Sequence, residues 1–327
     1  MRHRKIKPSR VETPRPSGSC PRPPRSGDSL AALIHRYQRE YAAPHRTLLN
    51  GYRASNNLAK AIENAIGSTG KVPDHQRRVG RTILKKAGSA LLAKELQIKA
   101  CTSGKYSVNG RCFDIGIATR RALSKFLESE NALTSGDASE RASGNGSIMR
   151  LAPVPVRYAD LYPNKIEEIS KLAEESSLPT HASEQCLSAC RYLATVLAAL
   201  MHGEDRDKIL SPDWMPLRHL NEIKPLHPLI QDVAQGSFQQ RQPPEIQGSG
   251  WVVKSLEASL WAFHDADTFE EAVLKAVNLG DDADTTGAIC GQLAGAYWGE
   301  SNIAGSLRSG LAGFDMIEAA IAGIVGS

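Results

Sequence analysis

AVNLGDDADTTGAICGQLAGAYWG, residues 276–299, joins an acidic turn to a long run of small and apolar residues. Asp281, Asp282 and Asp284 fall within four positions, and like charges this close repel unless a cation neutralises them. Carboxylates and hydroxyls are hard oxygen donors, which suit Mg²⁺, Ca²⁺ or Mn²⁺ rather than zinc or copper. In a turn ahead of a helix, Asp282 and Asp284 converge on one centre and Thr285 adds a hydroxyl. The small residues that follow let the helix pack closely against its neighbours and hold the turn rigid. The competing explanation is a helix N-cap, where Asp and Thr are common. The chain carries its own control in Asp265-Ala266-Asp267-Thr268, the same tetrapeptide followed by Phe269-Glu270-Glu271. Thr268 and Glu271 have capping-box spacing, so that Glu should fold back on the cap. No Glu stands at that distance after Thr285, so 265–268 reads as a cap and 282–285 as a metal site.

Outward from this turn, apolar residues recur at helical spacing over 115–127, 164–174, 181–201, 252–263, 269–278, 286–297 and 313–325. Hardly any segment alternates with period two, and candidate strands such as Val154 to Tyr158 are short. The expected fold is all-α, with no repeat of solenoid length.

Three weaker constellations accompany the acidic turn. In Ser143-Gly144-Asn145-Gly146-Ser147-Ile148-Met149-Arg150, the two glycines permit close backbone approach, so N–H groups there could cradle a phosphate. An ordinary turn explains the same residues. Pro179-Thr180-His181-Ala182-Ser183 opens the long helix to Leu200, with Thr180 as its cap and His181 at the positive end. Arg111-Cys112-Phe113-Asp114 puts an acid at the start of the helix to Leu127, where capping is the alternative.

The 327 residues are 41% hydrophobic and 23% charged, a globular composition. No run approaches the roughly 20 apolar residues of a spanning helix, which excludes an integral helical membrane protein. Six scattered cysteines without a CxxC pair exclude a disulfide scaffold and a zinc ribbon, and point to a reducing, cytoplasmic setting. The net charge of +5 hides a division: 1–113 holds 23 Lys/Arg against 6 Asp/Glu, and 114–327 holds 17 against 29. Residues 1–29, rich in Pro, Ser and Arg, are expected to form a disordered basic tail. Residues 30–105 read as a basic helical segment. Over 75–99, Val79, Ile83, Leu84, Ala87, Leu91, Leu92 and Leu96 line one face, opposite Arg77, Arg78, Arg81, Lys85, Lys86 and Lys94. That basic face is either plainly solvated or lies on nucleic acid.

Taken in order, the runs GRCFDIG (110–116), GNGSIMRLAPVPV (144–156), THAS (180–183), GSGWVVKSLEASLWAF (248–263) and 276–299 resemble the ADP-ribosylglycohydrolase family. The resemblance covers roughly 106–300 and makes 106–327 the expected domain. It implies a multi-helix orthogonal bundle with a two-metal centre of Mg²⁺ or Mn²⁺. The implied reaction is hydrolysis of the glycosidic bond between ADP-ribose and a protein side chain, with ADP-ribosylated protein or ADP-ribose as the partner. It assigns the metal to Asp282, Asp284 and Thr285, the diphosphate to Gly144, Asn145, Gly146 and Ser147, and the ADP-ribose cleft wall to His181. Asp114 matches an acid near the ribose, so the catalytic set is Asp114, Asp282 and Asp284. The family's N-terminal GDALG-type helix with its Glu, and its Thr-Asp-Asp motif, have no convincing counterpart here. The nearest approach is Gly27-Asp28-Ser29-Leu30, and the basic 30–105 segment stands where that N-terminal third would be. The DxDT turn alone supplies three side chains against the six or so oxygens a small cation takes. The expectation is therefore one ion or none, and two functional alternatives: a weakened hydrolase, or an ADP-ribose-binding protein of the same fold.

Overall fold

A computed structural model describes residues 115–311, except 130, together with 314, 317, 318 and 321. The 1–29 tail, the 30–105 segment and Asp114 lie outside the described residues, as does most of the helix expected over 313–325. The described residues are helical, with two isolated bridges and no strand. The longer helices are α1 (Ile117–Ser129), α2 (Ile166–Ser177), α3 (Glu184–Met201), α4 (Met215–Ile223), α5 (Val252–His264), α6 (Phe269–Val277) and α7 (Ala283–Trp298).

Helix α3 is the centre of the bundle, and every residue from Gln185 to Leu200 is buried. Its sequence is apolar nearly all round, as a core helix requires. Ser183 caps it, accepting from the Cys186 N–H at 3.3 Å. The helix therefore starts three residues later than its periodicity predicts, and Thr180 is not its cap. Helix α2 packs on α3, while α5, α6 and α7 pack on one another. Their contacts form one continuous core around Leu193, Leu197, Trp214, Phe238, Leu256, Leu260, Phe263 and Leu293. Each such side chain adds roughly 1.5–3 kcal/mol when fully buried. Within the core lies a cation: Arg191 is 1% exposed and donates to the carbonyls of Lys224 at 2.7 Å and Pro225 at 3.1 Å.

Val154 to Tyr158 is not a strand. Residues Pro153–Arg157 form a short helix with proline in its first turn, because Pro153 and Pro155 lack the N–H groups that a strand ladder needs and Pro153 has the φ of a first helical turn. The segment before it is tied to α7 by Gln292, whose side chain donates to the carbonyls of Ile148 and Met149 and accepts from the Ala152 N–H at 2.8 Å. This clamp fixes the glycine loop relative to the acidic turn.

Candidate functional site

The acidic turn rests on two consecutive residues in the left-handed region, Gly280 (φ 75°) and Asp281 (φ 51°). Asp281 points outward and is exposed, while Asp282 and Asp284 are partly covered. Asp282 occupies the N-cap position of α7, yet its side chain makes no capping hydrogen bond. Its carbonyl accepts from both the N–H and the hydroxyl of Thr286, each at 3.0 Å. The control behaves differently: Thr268 accepts from the Glu271 N–H at 3.1 Å, and Glu271 folds back to accept from the Asp267 N–H at 2.9 Å. Of two identical tetrapeptides, one caps its helix with side chains and the other leaves its carboxylate free for a different partner.

That partner is Asn145. Its side-chain amide donates to Asp282 Oδ2 at 2.6 Å, and also contacts Ser255 Oγ at 2.7 Å and the Ser249 carbonyl at 3.0 Å. The link is possible because Ser143–Asn145 runs antiparallel to Gly250–Val252. The Asn145 N–H bonds the Gly250 carbonyl at 3.0 Å, and the Val252 N–H bonds the Ser143 carbonyl at 2.9 Å. The strip 248–250 lies against the turn so closely that a Cβ on Gly248 would sit 2.4 Å from the Gly280 carbonyl oxygen. Only glycine permits that approach.

His181 closes the other side of the loop. It is 4% exposed, and its ring lies where a side chain on Gly146 would be: a Cβ there would meet Cε1 at 2.7 Å and Nε2 at 2.9 Å. Its Nδ1 is 2.8 Å from Thr180 Oγ1, which accepts from Arg150 Nη2 at 2.8 Å. Burial, and then the Arg150 charge, push the imidazole down to about 3, so the ring is neutral at physiological pH. Ser147 is buried beside the Cys186 and Cys190 thiols. Ser143 Oγ contacts Ser183 Oγ at 2.9 Å, which ties the loop to the cap of α3. The Gly144 N–H bonds the Ala142 carbonyl, so the N–H groups of Gly144 and Asn145 are both engaged within the protein.

Asp282, Asp284, Thr285, Asn145 and His181, from separate parts of the chain, thus border one loop. Ser249, Ser255 and Gln292 support it without having been singled out in the sequence, and Arg150 and Thr180, noted there as the end of the glycine run and as a helix cap, support it from a different role. Their types are common, and the signal lies in contacts such as Asn145 to Asp282 across 137 positions.

Asp284 is pushed above the ordinary carboxylate range, first by burial and then by the charge of Asp282. Two carboxylates held together at this cost are a donor set that a hard dication stabilises. Among the described residues, no His, Cys, Asp or Glu joins them as a third ligand. Thr285 is buried with its hydroxyl 3.9 Å from Met149 Sδ. In donor chemistry the turn fits one hard dication, whose remaining positions would be filled by water or substrate. A pair of ions needs more carboxylate than these residues supply.

Comparison with known proteins gives a consistent picture. The ADP-ribosylglycohydrolase family model matches residues 26–326. A protein of Serratia proteamaculans (strain 568) named ADP-ribosylarginine hydrolase Tri1 is 35% identical over 212 residues, 65% of this chain and 54% of that protein. A protein of the same name from Pseudomonas putida (strain GB-1) is 38% identical over 201 residues, 61% of this chain and 50% of its own length. The ADP-ribosyl-[dinitrogen reductase] glycohydrolase of Rhodospirillum rubrum is 27% identical over 200 residues, covering 60% of this chain and 59% of that one. The matches thus span about half the length of these curated relatives. A solved structure, described as an ADP-ribosylglycohydrolase-related protein complex, superposes with a TM-score of 0.57 at 29% identity. It covers 85% of this chain and 95% of its own.

Proposed function

The chain belongs to the ADP-ribosylglycohydrolase family, and on that premise we propose that it removes ADP-ribose from modified protein side chains by metal-assisted hydrolysis of the glycosidic bond. Arginine is the proposed acceptor, from the names of the Serratia and Pseudomonas relatives. The observation that carries this reading is the bond from Asn145 to Asp282, which joins the glycine loop to a turn of paired carboxylates.

The proposed roles follow from the chemistry. Asp282, Asp284 and the Thr285 hydroxyl would hold Mg²⁺ or Mn²⁺. Such an ion would supply Lewis-acid chemistry, lowering the pKa of a water for attack on the ribose. The carboxylates of Asp282 and Asp284 stabilise positive charge developing on the ribose ring, and Asp114 is the proposed third acid near it. Gly144, Asn145, Gly146 and Ser147 are the proposed diphosphate contacts, with the N–H groups of Gly144 and Asn145 already engaged within the protein. His181, being neutral, contacts the ligand without adding charge. Departure of the guanidine needs a proton or a polarising contact.

A second reading has its own observation: Asp282 and Asp284 meet at the turn without a third acid among the described residues. On that reading the protein binds ADP-ribose, or an ADP-ribosylated protein, without cleaving it. In either case 106–327 is the proposed working domain, within a family match that begins at residue 26, and nucleic acid is the alternative partner of the basic 1–105 region. A reducing, cytoplasmic setting suits the free buried thiols Cys186, Cys190 and Cys290. Calorimetry separates the readings. The hydrolase predicts saturable Mn²⁺ binding that Asp282→Ala abolishes and that tightens ADP-ribose binding. ADP-ribose binding indifferent to millimolar Mn²⁺ supports the second reading and contradicts the first.

A further inference from the structure

The surroundings of His181 determine which of its ring nitrogens carries the proton. Arg150 has no acceptor atom, so its contact with Thr180 Oγ1 at 2.8 Å is a donation to that oxygen. The same guanidinium donates to the Ser176 carbonyl through both Nη atoms at 3.2 Å, which fixes its plane. Thr180 is 3% exposed, and among the described residues the acceptor within reach of its hydroxyl hydrogen is His181 Nδ1, at 2.8 Å. Were Nδ1 protonated instead, it would donate to the Thr180 oxygen beside Arg150, and the buried hydroxyl hydrogen would have no acceptor among the described residues. The order of donation is therefore Arg150 to Thr180 to Nδ1, which leaves the hydrogen on Nε2. The backbone holds the ring in place as well: the His181 N–H bonds the Ser177 carbonyl at 2.8 Å, and the His181 carbonyl accepts from Ser177 Oγ at 2.6 Å. Nε2 faces the glycine loop, 3.4 Å and 2.9 Å from where side chains on Gly144 and Gly146 would begin, and has no partner among the described residues.

We propose that Arg150 and Thr180 are positioning residues that lock His181 in the Nε2–H tautomer and so present a neutral N–H donor to an oxygen of the bound ligand. With ADP-ribose as that ligand, the donor meets a phosphate or ribose oxygen, and this part of the proposal rests on the reading of the cleft given above. The tautomer itself does not. A neutral donor also suits a site that carries carboxylates on its other side, because it recognises an oxygen without forming an ion pair with Asp282.

The test uses the full chain labelled with ¹⁵N-histidine, with long-range ¹H–¹⁵N spectra assigned by loss of the His181 signals in His181→Gln. The expected wild-type pattern is a protonated Nε2 and a bare Nδ1, unchanged from pH 5 to pH 8. Thr180→Val, which keeps the shape and removes the hydroxyl, is expected to populate the other tautomer and weaken ADP-ribose binding about tenfold. Thr180→Ser should restore both. Arg150→Met, checked for folding by its circular-dichroism melt, should give mixed tautomers. A wild-type ring protonated on Nδ1, or a Thr180→Val spectrum identical to wild type, overturns the proposal. A switched tautomer with unchanged ADP-ribose affinity overturns the donor role. If the wild type shows the expected tautomer but binds no ADP-ribose, the functional reading fails and the donor role with it, while the relay stands.

Discussion

At the scale of single residues, the acidic turn combines poor stability with useful chemistry. Asp284 has a raised pKa in the folded chain, so over a pH interval above the ordinary 3.8 the folded protein holds a proton that the unfolded chain has released. Its contribution to stability therefore falls as pH rises through that interval and stays unfavourable at neutral pH without metal. Asp284→Asn is expected to raise the melting temperature of the metal-free protein at pH 7 by about 1–3 °C, and to leave it unchanged near pH 3. The same substitution should weaken Mn²⁺ binding, so stability and affinity move in opposite directions. Asn145→Ala tests the support of Asp282. Loss of an outer partner of this kind costs about 10–100-fold in metal affinity, to be measured by calorimetry or by electron paramagnetic resonance of free Mn²⁺. That side chains do not cap the turn at Asp282 and Asp284, as they do at 265–268, could be read from the spacing and from that contrast. The role of Asn145 could not, because its partners lie more than a hundred positions away, at Ser249, Ser255 and Asp282. Periodicity and capping rules report only on near neighbours.

At the scale of elements, the helices follow from apolar spacing, and their ends follow from contacts that spacing does not contain. Thr180 and Ser183 are both plausible caps for α3. The chain uses Ser183, while Thr180 lies between its chain neighbour His181 and Arg150, which the end of the glycine run brings to it. Val154 looked extended from its neighbours, but Pro153 and Pro155 decide that segment. The close approach of Gly248 to the Gly280 carbonyl is another contact with no local signature. Gly248→Ala places a methyl group 2.4 Å from a backbone oxygen that cannot rotate away. It should cost about 1–3 kcal/mol in urea unfolding, as overpacking does, and should weaken Mn²⁺ binding by shifting the turn. Stability lost without any change in Mn²⁺ affinity would show that the strip 248–250 does not position the acids.

At the scale of the whole molecule, the bundle brings 143–150, 180–183, 248–255 and 280–286 to one place, and the rest of the described chain holds them there. Helix α3 supplies the floor and Gln292 of α7 the clamp. The family's fold was legible because these same runs carry its recognisable residues. The division of labour between loop and turn was not, since it depends on how the helices pack. On the proposed function, Asp282 and Asp284, facing this loop, serve the cleavage of ADP-ribose from a protein side chain. The direct measurement is release of free ADP-ribose from ADP-ribosylated arginine in Mg²⁺ buffer by the full chain, beside Asp282→Ala. The account predicts release by the wild type and at least a hundredfold less by the variant, a difference of about 2.7 kcal/mol in the barrier. Equal release by the two proteins, or none by a wild type shown to bind ADP-ribose and Mn²⁺, would contradict it.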